Sequence, residues 1–272
     1  MPYMDIFNAL ILGIVQGITE FLPISSSGHL VLVREFLVVD EINQLAFDAI
    51  LHLATTAAVI IYFWSDIWNL VQTAIRKLGR LPVNEKDLTL LYALAAGTAP
   101  AVFFGLVLDT FISTYLYSLL TVAIVLALAS CFFIYAEWRY YQKPPQGALT
   151  VRRGLAVGFF QVLALLPGFS RSGATLAGGM LLGLTRYEAA KFSFLMAIPI
   201  TLGVGLKKLL ELILLEGTIA WGPIMVGIIV SFVMALLVIH FFLGFIRRYT
   251  LWPFIWYGLV LSFTVIYIAL YV

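Results

Sequence analysis

Apolar residues run along this chain in long blocks separated by short polar intervals, and two of the blocks are interrupted from within. Residues 5–21 are apolar up to Leu22-Pro23, a polar cluster follows, and residues 28–38 return to apolar sequence. Neither arm comfortably crosses a hydrocarbon core of about 30 Å. The Gly, Pro and Ser residues at the break free backbone groups that lipid cannot satisfy, which is tolerated only inside protein or along a cavity. The pattern predicts a re-entrant helical hairpin with its polar tip near mid-membrane. Spans follow near 46–64, 88–108 and 115–137, with a polar loop over 65–87 and a short turn around Asp109-Thr110. After a loop over 138–153 the pattern repeats: a hairpin over 154–183 broken at Pro167-Gly168, then spans near 190–206, 220–242 and 252–271.

Each half, 1–138 and 154–272 of one membrane domain over 1–272, is thus a hairpin plus three spans. An odd number of spans turns the second half over relative to the first. The expected fold is an all-α integral membrane protein of two inverted repeats and six spans, the hairpins entering from opposite faces and meeting tip to tip. In this topology the loops over 65–87, 138–153, 184–191 and 244–251 share one side. They hold 12 of the 16 Lys and Arg residues, all but Arg34, Arg171, Lys207 and Lys208. The positive-inside rule assigns that side to the cytoplasm and both termini to the outer face.

Composition agrees. The chain is 62% hydrophobic and 11% charged, against about a quarter charged in a water-soluble domain. The short alternating segments of a transmembrane β-barrel are missing. The net charge of +2 carries little weight, and no nucleic-acid partner is expected. One cysteine, Cys131, excludes a disulfide framework or cysteine metal cluster and reads as a small core residue. The N-terminus lacks a basic region and an Ala-x-Ala-like site, so the first apolar segment is expected to stay in the working protein.

The chemistry sits at the two breaks. The first reads Gln16-Gly17-Ile18-Thr19-Glu20-Phe21-Leu22-Pro23-Ile24-Ser25-Ser26-Ser27-Gly28-His29; the second reads Leu166-Pro167-Gly168-Phe169-Ser170-Arg171-Ser172-Gly173-Ala174-Thr175. Both carry Leu-Pro, a short spacer and Ser-x-Ser-Gly. A carboxylate at membrane depth marks a functional site or a paired charge, and Arg171 and His29 are on hand as partners for Glu20. Gln16, one turn earlier on the same helical face, can hydrogen-bond but cannot act as a base. Hydroxyls and glycine at a helix start present free backbone N–H groups to an anion. This makes Ser25, Ser26, Ser27 and Gly28 in one copy, and Ser170, Ser172, Gly173 and Thr175 in the other, candidate phosphate ligands; the bland reading is an N-cap. Arg171 forks onto phosphate oxygens. The set is a phosphoryl-transfer constellation. His29 is a candidate acid/base or nucleophile, Ser26 a candidate nucleophile activated by His29 or Glu20, and the choice stays open at this level. His52 and His240 stand alone in apolar spans and read as satisfied core histidines, with a weaker reading of His52 beside Thr55-Thr56 as a cavity residue.

At these residues the chain resembles the undecaprenyl-diphosphate phosphatase family of bacterial inner membranes, also called the bacitracin-resistance protein family. Gln16 to Glu20 match its Glu/Gln-x-x-x-Glu motif, Phe21 to His29 its Phe-Leu-Pro-x-Ser-Ser-(Ser/Thr)-Gly-His motif, and Pro167 to Thr175 its Pro-Gly-x-Ser-Arg-Ser-Gly-x-Thr motif. The resemblance implies hydrolysis of the terminal phosphate of undecaprenyl diphosphate, recycling the carrier lipid for cell-wall synthesis and conferring bacitracin resistance. It also implies a multi-pass protein of the bacterial inner membrane with its site opening to the periplasmic face, stimulation by Mg2+ or Ca2+, and a tendency to form a homodimer. Catalytic weight falls on Glu20, Ser26, His29 and Arg171, with Ser170, Ser172 and Thr175 holding phosphate. Many members have Glu where this chain has Gln16, which weakens a two-carboxylate metal site and leaves Glu20 as the candidate metal ligand. The rival reading is a transporter or flippase for polyprenyl phosphate or another anionic lipid, because inverted repeats with broken helices are also a transporter architecture.

Overall fold

The computed structural model describes residues 5–37, 44–116, 118–214 and 221–271. The first hairpin is α1 (Ile6–Thr19) and α2 (Ser26–Arg34). It is followed by α3 (Gln44–Tyr62), α4 (Trp64–Leu78), α5 (Glu85–Tyr115) and α6 (Leu119–Gln142). The second hairpin is α7 (Val151–Val162), a single 3₁₀ turn (Leu163–Leu165) and α8 (Arg171–Leu181); α9 (Arg186–Leu214), α10 (Trp221–Ile246) and α11 (Trp252–Tyr271) complete the chain. Among the described residues α5, α6, α9, α10 and α11 are long and apolar enough to cross a bilayer, and α3 joins them only together with α4, from which it is bent by 83°. Phe103, Leu106, Phe241, Val260 and Phe263 are more than half exposed on these helices, as lipid-facing side chains are. The chain is an all-α integral membrane protein.

Three local expectations change. The interval read as a polar loop over 65–87 contains α4, because its polar residues lie between apolar ones at helical spacing: Trp64, Ile67, Trp68, Val71, Ile75 and Leu78. Asp66 in its first turn and Arg76 and Lys77 in its last complement the helix dipole, and such an amphipathic helix suits the membrane interface. The turn expected at Asp109-Thr110 does not occur, since neither residue removes a backbone donor and α5 continues to Tyr115. Cys131 and His240 are exposed rather than in the core.

What locks the halves together is glycine. On α1, Gly13 and Gly17 are four apart, and a Cβ on them would lie 3.0 Å from the Gly227 carbonyl oxygen and 2.7 Å from that of Ser231 on α10. On α7, Gly154 and Gly158 repeat the spacing: a Cβ there would lie 2.6 Å from the Ala93 oxygen and 2.3 Å from the Gly97 oxygen on α5. Each hairpin therefore lays a small-xxx-small stripe against a matching stripe of the other half, with the paired helices parallel. Lipid supplies no hydrophobic drive between helices, so this close backbone approach is a main source of attraction. The pairings of α3 with α9 and of α6 with α11 join equivalent elements of the two halves.

The largest core cluster surrounds the hairpin tips, with Phe21 edge-on to Phe194 at 5.0 Å between ring centroids and Phe169 edge-on to Phe133 at 6.3 Å. Towards the basic end, fully buried Glu137 accepts from Arg186 Nε at 3.0 Å, from Arg186 Nη2 at 2.5 Å and from the Leu251 N–H at 2.7 Å. This ties the ends of α6, α9 and α11 together.

Filling either stripe must push the hairpin off its partner. Gly17→Leu and Gly158→Leu are each expected to lose more than the ~1–3 kcal/mol of ordinary overpacking. Gly203→Leu, with open space around its Cβ position, is the control. Thermal unfolding in detergent reads the three, and equal midpoints would contradict the stripe packing.

Candidate active site

Both hairpins break in the same way. At the first, α1 ends on Glu20, whose N–H still reaches the Gln16 carbonyl at 3.0 Å. The chain turns through Leu22-Pro23, and Ser25 caps α2 by accepting from the Gly28 N–H at 3.3 Å. Ser25 holds a φ of +67°, a left-handed conformation that a non-glycine residue adopts only when its surroundings impose it. At the second break Gly168 takes φ +99° and passes so close to α6 that a Cβ would lie 2.4 Å from the Val122 oxygen. Ser170 caps α8 by accepting from the Gly173 N–H at 3.1 Å. The two caps place Ser25 opposite Ser170, Ser26 opposite Arg171, Ser27 opposite Ser172 and Gly28 opposite Gly173. Ser26 and Arg171 are thus the first helical residues of α2 and α8.

Those two residues meet on one carboxylate. Glu20 is 5% exposed. Its Oε1 accepts from Arg171 Nη2 in a close ion pair. Its Oε2 accepts from Ser26 Oγ at 2.7 Å and from Gln16 Nε2 at 2.9 Å. Arg171 also donates from Nη1 to the Ala197 carbonyl on α9 at 3.3 Å. Ser26 hydrogen-bonds to Glu20, whereas His29 points elsewhere. His29 Nδ1 lies 2.7 Å from the Ser25 carbonyl oxygen and Nε2 lies 2.7 Å from the Tyr257 hydroxyl on α11.

The histidine beside Glu20 is His52, which the sequence reading ranked low. Its Nδ1 is 3.1 Å from Glu20 Oε2, an ion pair whenever the imidazole is protonated, and 2.9 Å from Gln16 Nε2. The available signal was an ionisable residue at membrane depth on the same face of α3 as Thr56, whose hydroxyl meets Thr201 of α9 at 2.6 Å. Tyr257 was also missed; nothing local distinguishes it from the other interfacial aromatics.

The hydroxyls of the second tip are engaged with protein. Ser170 and Ser172 donate to the Leu22 carbonyl of the first tip at 3.3 and 2.9 Å, and Ser170 and Ser172 lie 3.0 Å apart. Thr175 donates to the Arg171 carbonyl at 2.8 Å and meets Ser193 at 2.6 Å. All three are buried; Ser170 and Ser172 fasten one tip to the other, and Thr175 fastens the second tip to α9. On the first tip Ser26 and Ser27 are partly exposed, and Ser27 Oγ lies 3.3 Å from Ser25 Oγ.

The donor set does not fit a divalent cation held by the protein. Glu20 is joined by an amide at Gln16 rather than a second carboxylate, and a guanidinium already occupies one of its oxygens. No cluster of three His, Cys, Asp or Glu side chains with ligand geometry occurs among the described residues. What the arrangement offers instead is a hydroxyl beside a carboxylate, a cation paired to that carboxylate, and a partly exposed imidazole.

Comparison with known proteins adds the following. A family model described as Bacitracin resistance protein BacA matches residues 9–264. The undecaprenyl-diphosphatase of Chromohalobacter salexigens is 39% identical over 259 residues, 95% of this chain and 97% of that protein. That of Saccharophagus degradans is 40% identical over 263 residues, covering 95% of this chain and 96% of the relative. That of Micrococcus luteus is 39% identical over 263 residues and covers 95% of each.

The Glu20–Arg171 pair predicts a stability pattern. Removing either partner leaves the other buried and uncompensated, a loss of about 3–5 kcal/mol, whereas removing both avoids the stranded charge. Thermal midpoints are expected to fall in Glu20→Ala and in Arg171→Ala and to recover in part in the double variant. Additive losses would show that the two charges do not depend on each other.

Proposed function

The chain belongs to the bacitracin resistance protein BacA family, and from that premise we infer that it hydrolyses undecaprenyl diphosphate to undecaprenyl phosphate and inorganic phosphate. One observation carries the chemistry: Ser26, Glu20 and Arg171, drawn from both tips, lie in one hydrogen-bonded chain. We assign Ser26 as the nucleophile towards the terminal phosphorus. As its Oγ–P bond forms, its proton passes to Glu20 Oε2 and the bridging P–O bond breaks, releasing undecaprenyl phosphate. Protonation neutralises Glu20 and so frees the Arg171 guanidinium from its ion pair as charge builds on the phosphoryl oxygens. Cations so placed give the largest single share of such rate enhancements. Water then attacks the phosphoserine phosphorus while His29 Nε2 takes the water proton, and the P–Oγ bond breaks as Glu20 returns its proton to Ser26, releasing inorganic phosphate. Ser27, partly exposed at the start of α2, completes the phosphate site, while the Ser25 hydroxyl and the Gly173 N–H are engaged in the two caps.

A divalent cation would have to come with the diphosphate as its counter-ion, because the one carboxylate of the site is already paired with Arg171. The halves are inverted repeats, supported by the reciprocal packing of α1 on α10 and α7 on α5. The basic ends of α4, α6 and α10 and the start of α9 face the cytoplasm, so the first hairpin enters from the periplasmic side, where the termini and the site opening lie. The described site draws on one chain, so a homodimer is not needed for the chemistry. A carrier that only moved anionic lipid would use Arg171 and the helix starts but has no use for a hydroxyl held on a carboxylate.

Phosphate release from undecaprenyl diphosphate in detergent tests the assignment. Arg171→Ala, Glu20→Gln and Ser26→Ala are each expected to lose at least about 100-fold in kcat. Release that survives Ser26→Ala while depending on Glu20 would make water the nucleophile. Full activity in Arg171→Ala would overturn the site.

A further inference from the structure

We propose that Tyr257 is a positioning residue for His29, reaching from the second half of the chain to hold the imidazole in the tautomer and orientation that phosphoryl transfer uses. This rests on the diphosphatase reading of the site. A backbone carbonyl can only accept, so the 2.7 Å contact of His29 Nδ1 with the Ser25 oxygen requires the proton to sit on Nδ1. In the neutral ring Nε2 then carries the lone pair, and the partner at 2.7 Å is the Tyr257 hydroxyl, which donates to it. The two rings lie nearly parallel, with centroids 5.6 Å apart and planes 9° from parallel, as an in-plane hydrogen bond between them requires. The imidazole is therefore fixed at both nitrogens, by the Ser25 carbonyl and by the phenol hydroxyl.

The placement matters because the Ser25 carbonyl and Tyr257 are what hold the His29 ring. Its contacts do not include Glu20, Ser26 or Arg171, which make a closed set of their own with Gln16 and His52. The Ser25 carbonyl that receives Nδ1–H belongs to the residue at φ +67°, so the strained backbone of the first tip aims the ring. Tyr257 is 45% exposed, on a helix whose Trp256, Val260 and Phe263 face lipid. The phenol thus covers the lone pair on the side from which a lipid substrate arrives. When the diphosphate displaces that hydroxyl, Nε2 is left free, already oriented, to accept the proton of the attacking water. A reacting group loosened by about 1 Å costs roughly 100-fold in rate.

Two measurements test it. Tyr257→Phe keeps the ring and removes only the hydroxyl. It is expected to lower kcat about 10-fold with KM within about two-fold of the parent, and to add nothing further in a His29→Gln background. Parental kcat in Tyr257→Phe, or losses that multiply independently with His29→Gln, would overturn the proposal. The second measurement needs no substrate: carbethoxylation of His29 by diethyl pyrocarbonate, followed by mass spectrometry of the peptide. Freed of its cap, Nε2 should react several-fold faster in Tyr257→Phe, and an unchanged rate would equally overturn it. Absence of phosphate release by the parent chain would fail the diphosphatase reading instead, leaving the reactivity result to decide the contact.

Discussion

A helix broken inside a membrane exposes backbone groups that hydrocarbon cannot satisfy, and this structure depends on two such breaks satisfying each other. Ser25 and Ser170 take up free N–H groups at the starts of α2 and α8. The Leu22 carbonyl, just past the end of α1, accepts the Ile24 N–H at 2.8 Å within its own tip and hydroxyls from Ser170 and Ser172 across the gap. Neither tip is complete alone. Only where they meet can the polar residues needed for chemistry sit at membrane depth without a large desolvation penalty.

The same reciprocity holds the scaffold. Each hairpin lies along a span of the opposite half through facing stripes of small residues, so neither repeat can separate without exposing both interfaces. Contacts this close leave no room for side chains, which is why glycine recurs on α1 and α7 although it is a poor helix former in water. Rigidity in these stripes fixes the distance between the tips.

The active arrangement follows from one positional coincidence. Equivalent helix starts carry Ser in one half and Arg in the other, and both turn onto Glu20. One half supplies a hydroxyl and the carboxylate, the other the cation, and the carboxylate couples them by accepting from both.

Much of this was legible in the chain itself. Hydropathy and the Leu-Pro breaks determined the membrane class, the order of helices and the pairing of two polar clusters; Glu20, Ser26 and Arg171 stood out as the residues most at odds with an apolar setting. The glycine spacing of α1 and α7 was also readable. α4 was passed over because amphipathic periodicity near an interface resembles a polar loop when only charge is counted. What tertiary structure alone decided was which groups touch. His29 is three positions after Ser26 yet turns to Tyr257, while His52, 32 positions after Glu20, arrives at its carboxylate. Periodicity places a residue on a helix and roughly on a face. The rotation and depth at which α3 and α11 pack against the tips come from close contacts between distant segments, and those contacts determine each hydrogen-bond partner.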